Sequence, residues 1–319
     1  MDLVVSGPTF LDVTLAGLQA TVHPGREVFA QDAALGPGGA AIAAIAASRL
    51  GLQTALHSDL GADAAGLLCR DVLMTEAVDV SAAPLLDGWR TPLTVCISDR
   101  DDRAMATFQE PPPRRRTPPV AARALLANLR DVAARARTDG TVVVADIGWD
   151  ASGRWDDGDL APLRSCDVFL PNSVEAMAYT RTATPREAAR ALGDRVERVI
   201  VTCGAEGVIA LDAGAGSESL IPAIPVDAVD TTGAGDVLGA GVVAGLLRGW
   251  QFADVAAFGA LCAGLAVTRL GSATASPTLA GIDEWWRAAR ADAALSSRYA
   301  FLEGLHDAEA GLPSQEPTG

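Results

Sequence analysis

Asp230-Thr231-Thr232-Gly233-Ala234-Gly235-Asp236 is the stretch whose residue types and spacing are best suited to chemistry. It follows an extended run at residues 221–226 and opens a long apolar segment, residues 237–247, that reads as a buried helix. Glycine, alanine and glycine in a row leave backbone N–H groups uncovered at that helix N-terminus. Free amides and the helix dipole together favour an anion there. A carboxylate at Asp236 would repel an anion already seated on those amides. Two roles account for it: a cap on the helix, or a base that takes a proton from a hydroxyl attacking a bound phosphate.

Other chemistry-bearing groups are spaced along the chain. Asn172 and Glu175 sit three apart, on one face of the first turn after a strand. That spacing suits an N-cap asparagine with a glutamate reaching back to it. Asp12 follows the Gly7-Pro8 turn, where an aspartate can cap the turn. Gly38 and Gly39 end a glycine-rich stretch, read as a loop, before an alanine-rich helix. Thr202 and Gly204 lie where a strand passes into a turn.

Composition narrows the function classes. A formal net charge of −15 argues against nucleic acid or an anionic membrane as the main partner. All 25 basic residues are arginine, so a phosphate clamp of the Walker type, which needs lysine, is excluded. The five cysteines form no CxxC pair and read as small buried hydrophobes of a reducing compartment. The three histidines share no ligand spacing, which argues against a zinc site. An acidic residue and a short strand open the chain, so no signal peptide is expected, and a soluble cytoplasmic protein is.

Elements must position these groups. Residues 3–6 read as a strand, residues 13–35 and 91–109 as two hairpins leaving the main body, and residues 40–50 as a packed helix. Past a Pro/Arg-rich connector at 111–119, the pattern becomes strand and helix in alternation. Residues 120–137 read as an amphipathic helix, 141–146 and 167–171 as strands, 173–179 and 185–192 as helices, and 198–202 and 207–212 as strands. Helices at 237–247, 252–269 and 281–292 complete the domain, placed at 1–295. Residues 296–319 are expected to be a loose tail. The alternation predicts an α/β fold: a mostly parallel sheet covered on both faces, with a small β appendage built from inserts at about 13–35 and 88–109.

Taken in order, Gly7 with Asp12, Gly38-Gly39 before a helix ending Arg49-Leu50-Gly51, Pro171-Asn172-Ser173-Val174-Glu175, the Thr202 to Gly207 turn and the Asp230 to Asp236 turn resemble the ribokinase-like (PfkB) carbohydrate kinases over residues 3–282. The resemblance implies a three-layer αβα fold with a β-sheet lid, and transfer of the γ-phosphoryl group of ATP to a hydroxyl of a small sugar or sugar acid. It implies Asp236 as general base, with Gly233, Ala234 and Gly235 as the anion hole. Asp12, Gly38 and Gly39 are implied around the sugar, and Asn172, Thr202, Gly204 and Thr232 beside the nucleotide. Glu175, with Asn172, is implied near Mg²⁺. Many relatives also bind a monovalent cation such as K⁺ through main-chain oxygens; Asp230 and Thr232 are the matching positions.

Three departures from the pattern weaken a substrate assignment. An apolar Ile42 or Ala43 stands where most relatives have a pocket asparagine, Gly148 where they often have asparagine, and Ala40 where ribokinases proper have lysine. The first leaves room for a nucleoside kinase of the same fold, with a lid aromatic (Phe10, Phe29, Trp89 or Phe108) stacked on a base. A non-catalytic homologue is disfavoured by the intact Asp236 turn. Arg103 and the Arg114 to Arg116 run read as solvated arginines. Exposed lid edges and the habit of related kinases point to a homodimer through the lid.

Overall fold

The computed structural model describes residues 1–98, 103–112, 119–132 and 138–305. The Asp99 to Asp102 turn, the Arg114 to Arg116 run, residues 133–137 of the expected helix and the chain from His306 onward lie outside the described residues.

The chain runs β1 (Leu3–Ser6), β2 (Thr9–Ala16), β3 (Asp32–Gly39), α1 (Ala40–Arg49), β4 (Thr54–His57), β5 (Leu60–Gly61), α2 (Ala64–Thr75) and β6 (Leu85–Leu86). Then come β7 (Leu93–Ser98), β8 (Arg103–Phe108), β9 (Ala124–Asn128), α3 (Leu129–Val132) and β10 (Val142–Asp146). A 3-10 helix (Asp157–Ser165) leads to β11 (Val168–Phe169), α4 (Ser173–Thr180), α5 (Pro185–Gly193) and β12 (Arg198–Thr202). A 3-10 turn (Gly204–Glu206), β13 (Val208–Asp212), β14 (Ser217–Ile221), α6 (Ala234–Leu247) and α7 (Phe252–Ala266) follow. The described chain closes with α8 (Ser272–Ala275), α9 (Leu279–Ala289), α10 (Ala293–Arg298) and a 3-10 turn (Ala300–Gly304).

Eight strands form the central sheet in the order β14-β13-β12-β11-β10-β9-β1-β4. The pairs from β4 to β12 are parallel, and β13 and β14 add an antiparallel edge. Alternation along the inner strands divides the core between two faces. Leu3 and Val5 of β1 and Ala124 and Leu126 of β9 join α1, α6 and α7 on one face. Val4, Leu125 and Ala127 join α4 and α5 on the other. The expected three-layer arrangement is thus the one formed.

Two expectations are corrected here. The expected helix at 120–137 holds instead the buried central strand β9 and the short α3. Alanine and leucine favour helix, but a strand packed on both faces takes the same small apolar residues, and burial between β1 and β10 decides. The expected tail begins too early: α10 packs, and Tyr299, Leu302 and Leu305 are core residues, so packed structure continues to Leu305, past the boundary at 295.

A separate sheet, β3-β2-β7-β8, forms the lid. Gly38 and Gly39 are not in a loop: they are the last residues of β3, paired with Phe10 and Thr9. Asp12 likewise is mid-strand in β2, opposite Gly36 and Thr94. Because directly paired residues share a face, Asp12, Thr94 and Thr107 lie together on one side, and Val13, Leu35, Val95 and Ala106 on the other.

Candidate active site

The glycine-rich turn is built from its own carboxylate outward. Asp230 is buried, and its Oδ1 accepts from Thr232 N at 2.9 Å while Oδ2 accepts from Gly271 N at 3.4 Å. Val229 N and Asp230 N both donate to Val267 O, at 2.7 and 3.1 Å. The turn is therefore tied to the end of α7. Gly233 then adopts φ 77°, the left-handed region that favours glycine, and α6 starts at Ala234. A Cβ at Gly233 would meet Ile42 Cδ1 at 2.7 Å, so a side chain is excluded by packing as well as by conformation. Val237 N donates to Gly233 O at 3.0 Å as the helix begins, and Ala234 N donates to Thr231 O at 3.4 Å across the turn. Asp236 stands in that first turn, half-buried.

Against this turn the lid presents Asp12. The Asp12 carboxylate lies directly on Gly38: a Cβ there would fall 2.0 Å from Oδ2. Gly39, at φ 61°, is closed in by Pro8 O and the Phe10 ring. Burial pushes the Asp12 carboxyl up to about 6; a hydrogen bond from Thr94 opposes this, and the nearby charge of Asp230 adds to it. Cys96 of β7 reaches Thr232 Oγ1 at 3.5 Å. The structure thus brings Asp12, Gly38, Gly39, Thr232 and Gly233 together, with Ile42 as the apolar piece between the lid and the turn.

The second group assembles at the carboxyl ends of β10, β11 and β12, where open α/β sheets place their ligands. Asn172 Oδ1 accepts from Glu175 N at 2.9 Å, and Asn172 N donates to Glu175 Oε2 at 3.1 Å, a complete capping box on α4. Asn172 also bridges to Thr202, whose N donates to Pro171 O at 3.0 Å. Gly204, at φ 57°, opens the following turn. The capping arrangement expected from spacing alone is therefore present.

It leaves a buried Glu175, 6% exposed, whose carboxyl burial pushes up to about 7, with the Asp146 charge adding to the effect. Asp146 is itself raised to about 6, by burial first and by the charge of Asp131. In the sequence, Asp146 is marked only as the end of a strand. The available signal was its position at the carboxyl end of a central parallel strand.

Between the two groups lies α6. Gly239 faces Leu126 and Leu170, so the helix crosses the sheet near β9 and β11. Strand order thus puts the Asp12 side toward β1, the Asn172 side toward β11 and β12, and the glycine-rich turn between them. Arg103 is the first residue of β8.

A three-layer sheet with a glycine-rich helix N-terminus, a lid-borne carboxylate and a carboxylate pair is the framework of a ribokinase-like phosphotransferase. The family model for pfkB family carbohydrate kinases matches residues 13–279, and the chain belongs to that family, which transfers phosphoryl groups to alcohol acceptors. A ribokinase of Haemophilus influenzae is 28% identical over 87% of this chain and 92% of its own length. A nucleoside kinase of Methanothermobacter thermautotrophicus is 29% identical over 75% of this chain and 81% of its own. In fold, the crystal structure of a putative ribokinase from Agrobacterium tumefaciens superposes with a TM-score of 0.76 at 19% identity, covering 90% of this chain and 97% of that one. Among the described residues no helix is long and apolar enough to cross a membrane.

Proposed function

We propose that the chain transfers the γ-phosphoryl group of ATP to a hydroxyl of a small sugar or sugar acid. The observation that supports this best is the seating of Asp12 on Gly38 within electrostatic reach of Asp230, which sets an acceptor-binding carboxylate beside the anion-binding turn. An ionised Asp12 accepts two hydrogen bonds from neighbouring hydroxyls of the acceptor. Asp236 takes the proton from the attacking hydroxyl. Amides of Gly233, Ala234 and Gly235 stabilise charge on the group in transfer, the dominant contribution in this chemistry. Thr202, Gly204 and Thr232 flank the nucleotide.

Glu175 and Asp146 fit a divalent cation: both carboxyls are raised by burial and by acidic neighbours, and among the described residues no basic side chain contributes to either shift, a counter-charge that a hard cation would supply. Glu175, Asn172 and Asp146 would hold Mg²⁺, and the ion would supply neutralising charge to the phosphate oxygens. Main-chain oxygens at Asp230 and Thr232 are the proposed holders of K⁺, tested by comparing turnover in K⁺ and Na⁺.

A second reading, a nucleoside acceptor, is favoured by Ile42, which is buried against Gly233 at the place of a polar pocket residue. Of the lid aromatics, Phe10 packs on Gly39, whereas Trp89 is buried near Gly61 and Phe29 is exposed. Release of ADP from Mg²⁺-ATP, screened over pentoses, hexoses, keto-deoxy acids and nucleosides, separates the readings. Turnover only with nucleosides selects the second, and no turnover with any class rejects both.

A further inference from the structure

A cavity of about 400 Å³ lies at the far end of α4 from Glu175, between the 3-10 helix at Asp157–Ser165 and the ends of α4 and α5. Arg154, Arg181 and Arg195 line it, with Trp155 and Tyr179 as its aromatic wall. In a chain of net charge −15, three arginines lining one cavity run against the overall field. The acidic lining residues do not cancel them all. Asp157 pairs with Arg195 at 2.6 Å, and the Asp156 carboxylate is engaged with Gly158 N at 2.8 Å at the start of the 3-10 helix. Arg181 Nη2 donates to Arg154 O and Trp155 O, at 2.7 and 3.3 Å. The Arg154 side chain has no protein partner among the described residues.

Backbone conformation supplies an independent observation. Trp155 has φ 51°, in the left-handed region that is unfavourable for such a side chain, whereas Arg181, at φ 58°, is the left-handed C-cap that ends α4. Strain of this kind, roughly 1–3 kcal/mol per residue, persists where surroundings over-determine it and concentrates at ligand clamps. Here Asp150 enforces it: its carboxylate accepts from Trp155 N at 2.8 Å, Ser152 N at 2.9 Å and Ser152 Oγ at 2.8 Å. The Trp155 ring is held edge-on between Trp149 and Tyr179, with centroids 4.9 and 5.1 Å away. The cavity wall is therefore preorganised, and the volume suits a small metabolite.

We propose that this cavity is a second ligand site, separate from the glycine-rich turn, for a small phosphate-bearing metabolite bound by Arg154 and Arg181 against the Trp155 wall. Arginine suits this use because its planar fork meets phosphate oxygens in pairs. Six residues, about 9 Å of helix rise, separate Arg181 from Glu175, so the two sites lie at opposite ends of α4. The proposal does not rest on the identity of the phosphoryl acceptor.

Phenylglyoxal modification of individual arginines, read by peptide mass spectrometry on the full chain, tests it. Sodium pyrophosphate, ribose 5-phosphate and adenosine monophosphate serve as probes. At least one is expected to slow modification of Arg154 and Arg181 by roughly tenfold. Stronger protection by the nucleotide than by the sugar phosphate would identify a base against Trp155; equal protection would identify the phosphate alone as the recognised group. Arg154→Glu is expected to abolish protection of Arg181 while leaving ADP release at the wild-type rate. Unchanged modification with all three probes overturns the proposal, and so does protection of Arg181 that survives Arg154→Glu.

Discussion

Asp236 stands in the first turn of α6, beside the amides proposed to meet the phosphate. A carboxylate at that point weakens anion binding unless its proton-accepting role repays the repulsion. Asp236→Asn is therefore expected to leave folding and ATP binding near wild type and to lower kcat by roughly 10²–10⁴. Steady-state kinetics retaining more than about a tenth of the wild-type rate would remove Asp236 from the base role. The raised carboxyls make a second, pH-dependent prediction. Glu175 at about 7 and Asp146 at about 6 hold protons more tightly than in the unfolded chain. Their contribution to stability is complete below the unfolded values near 4 and is lost as pH rises through 6 to 7. Mg²⁺ competes with those protons, so it should raise Tm more at pH 8 than at pH 5.5. Glu175→Gln should shrink that difference and raise the Mg²⁺ requirement more than the acceptor KM. Equal Mg²⁺ shifts at the two pH values would leave the Asn172 and Glu175 pair as a helix cap only.

Two elements hold the acceptor side in place. In the lid, β3 ends in Gly38 and Gly39 because Asp12 and Pro8 occupy the space a side chain would need. Gly38→Ala must displace the Asp12 carboxylate, so acceptor KM should rise on the order of tenfold or more while ATP KM stays near wild type, the pattern of a lost acceptor contact. Parallel changes in both KM values would show a general distortion instead. On the body, Arg49 at the end of α1 binds both Glu76 oxygens, at 2.6 and 2.7 Å, and the carbonyls of Thr274 and Ser276, at 2.7 and 2.8 Å. This clamp fixes α8, whose Ser272 packs beside Gly233. Arg49→Ala should destabilise the chain by roughly 2–3 kcal/mol, more than an exposed ion pair would. Urea denaturation with an unchanged midpoint would show the clamp to be dispensable.

The whole molecule adds the question of what covers the lid. Its site-facing side carries Asp12 and Thr94, whereas its outer side carries Val13, Val95 and the exposed Leu35 and Phe108. Such a sheet face is consistent with the homodimer expected through the lid. Light scattering should give a dimer mass for the wild type and a monomer mass for Leu35→Asp. A wild-type monomer at working concentration rejects the assembly.

Local order in the chain was enough to reveal the class of fold. Strand and helix alternate with their own periodicities, and the Asp230 to Asp236 turn pairs small residues with a carboxylate in a spacing that few structural roles require. The Asn172 and Glu175 capping box was equally legible, because both its hydrogen bonds are made within one helical turn. Residues 120–132 were not legible: Ala-Leu-Leu-Ala favours helix locally, and only burial between β1 and β10 makes it a strand. The lid glycines look like a loop in the sequence because strand pairing with β2 is a long-range contact that composition does not encode. Asp146 beside Glu175, Asp12 over Gly38 and Ile42 against Gly233 are likewise products of tertiary structure. Each joins residues far apart in the chain whose proximity depends on sheet order and on helices packing across it. The sequence by itself determined which groups were present to do chemistry. Folding decided which carboxylates are buried together, and burial and mutual charge then set their proton affinities.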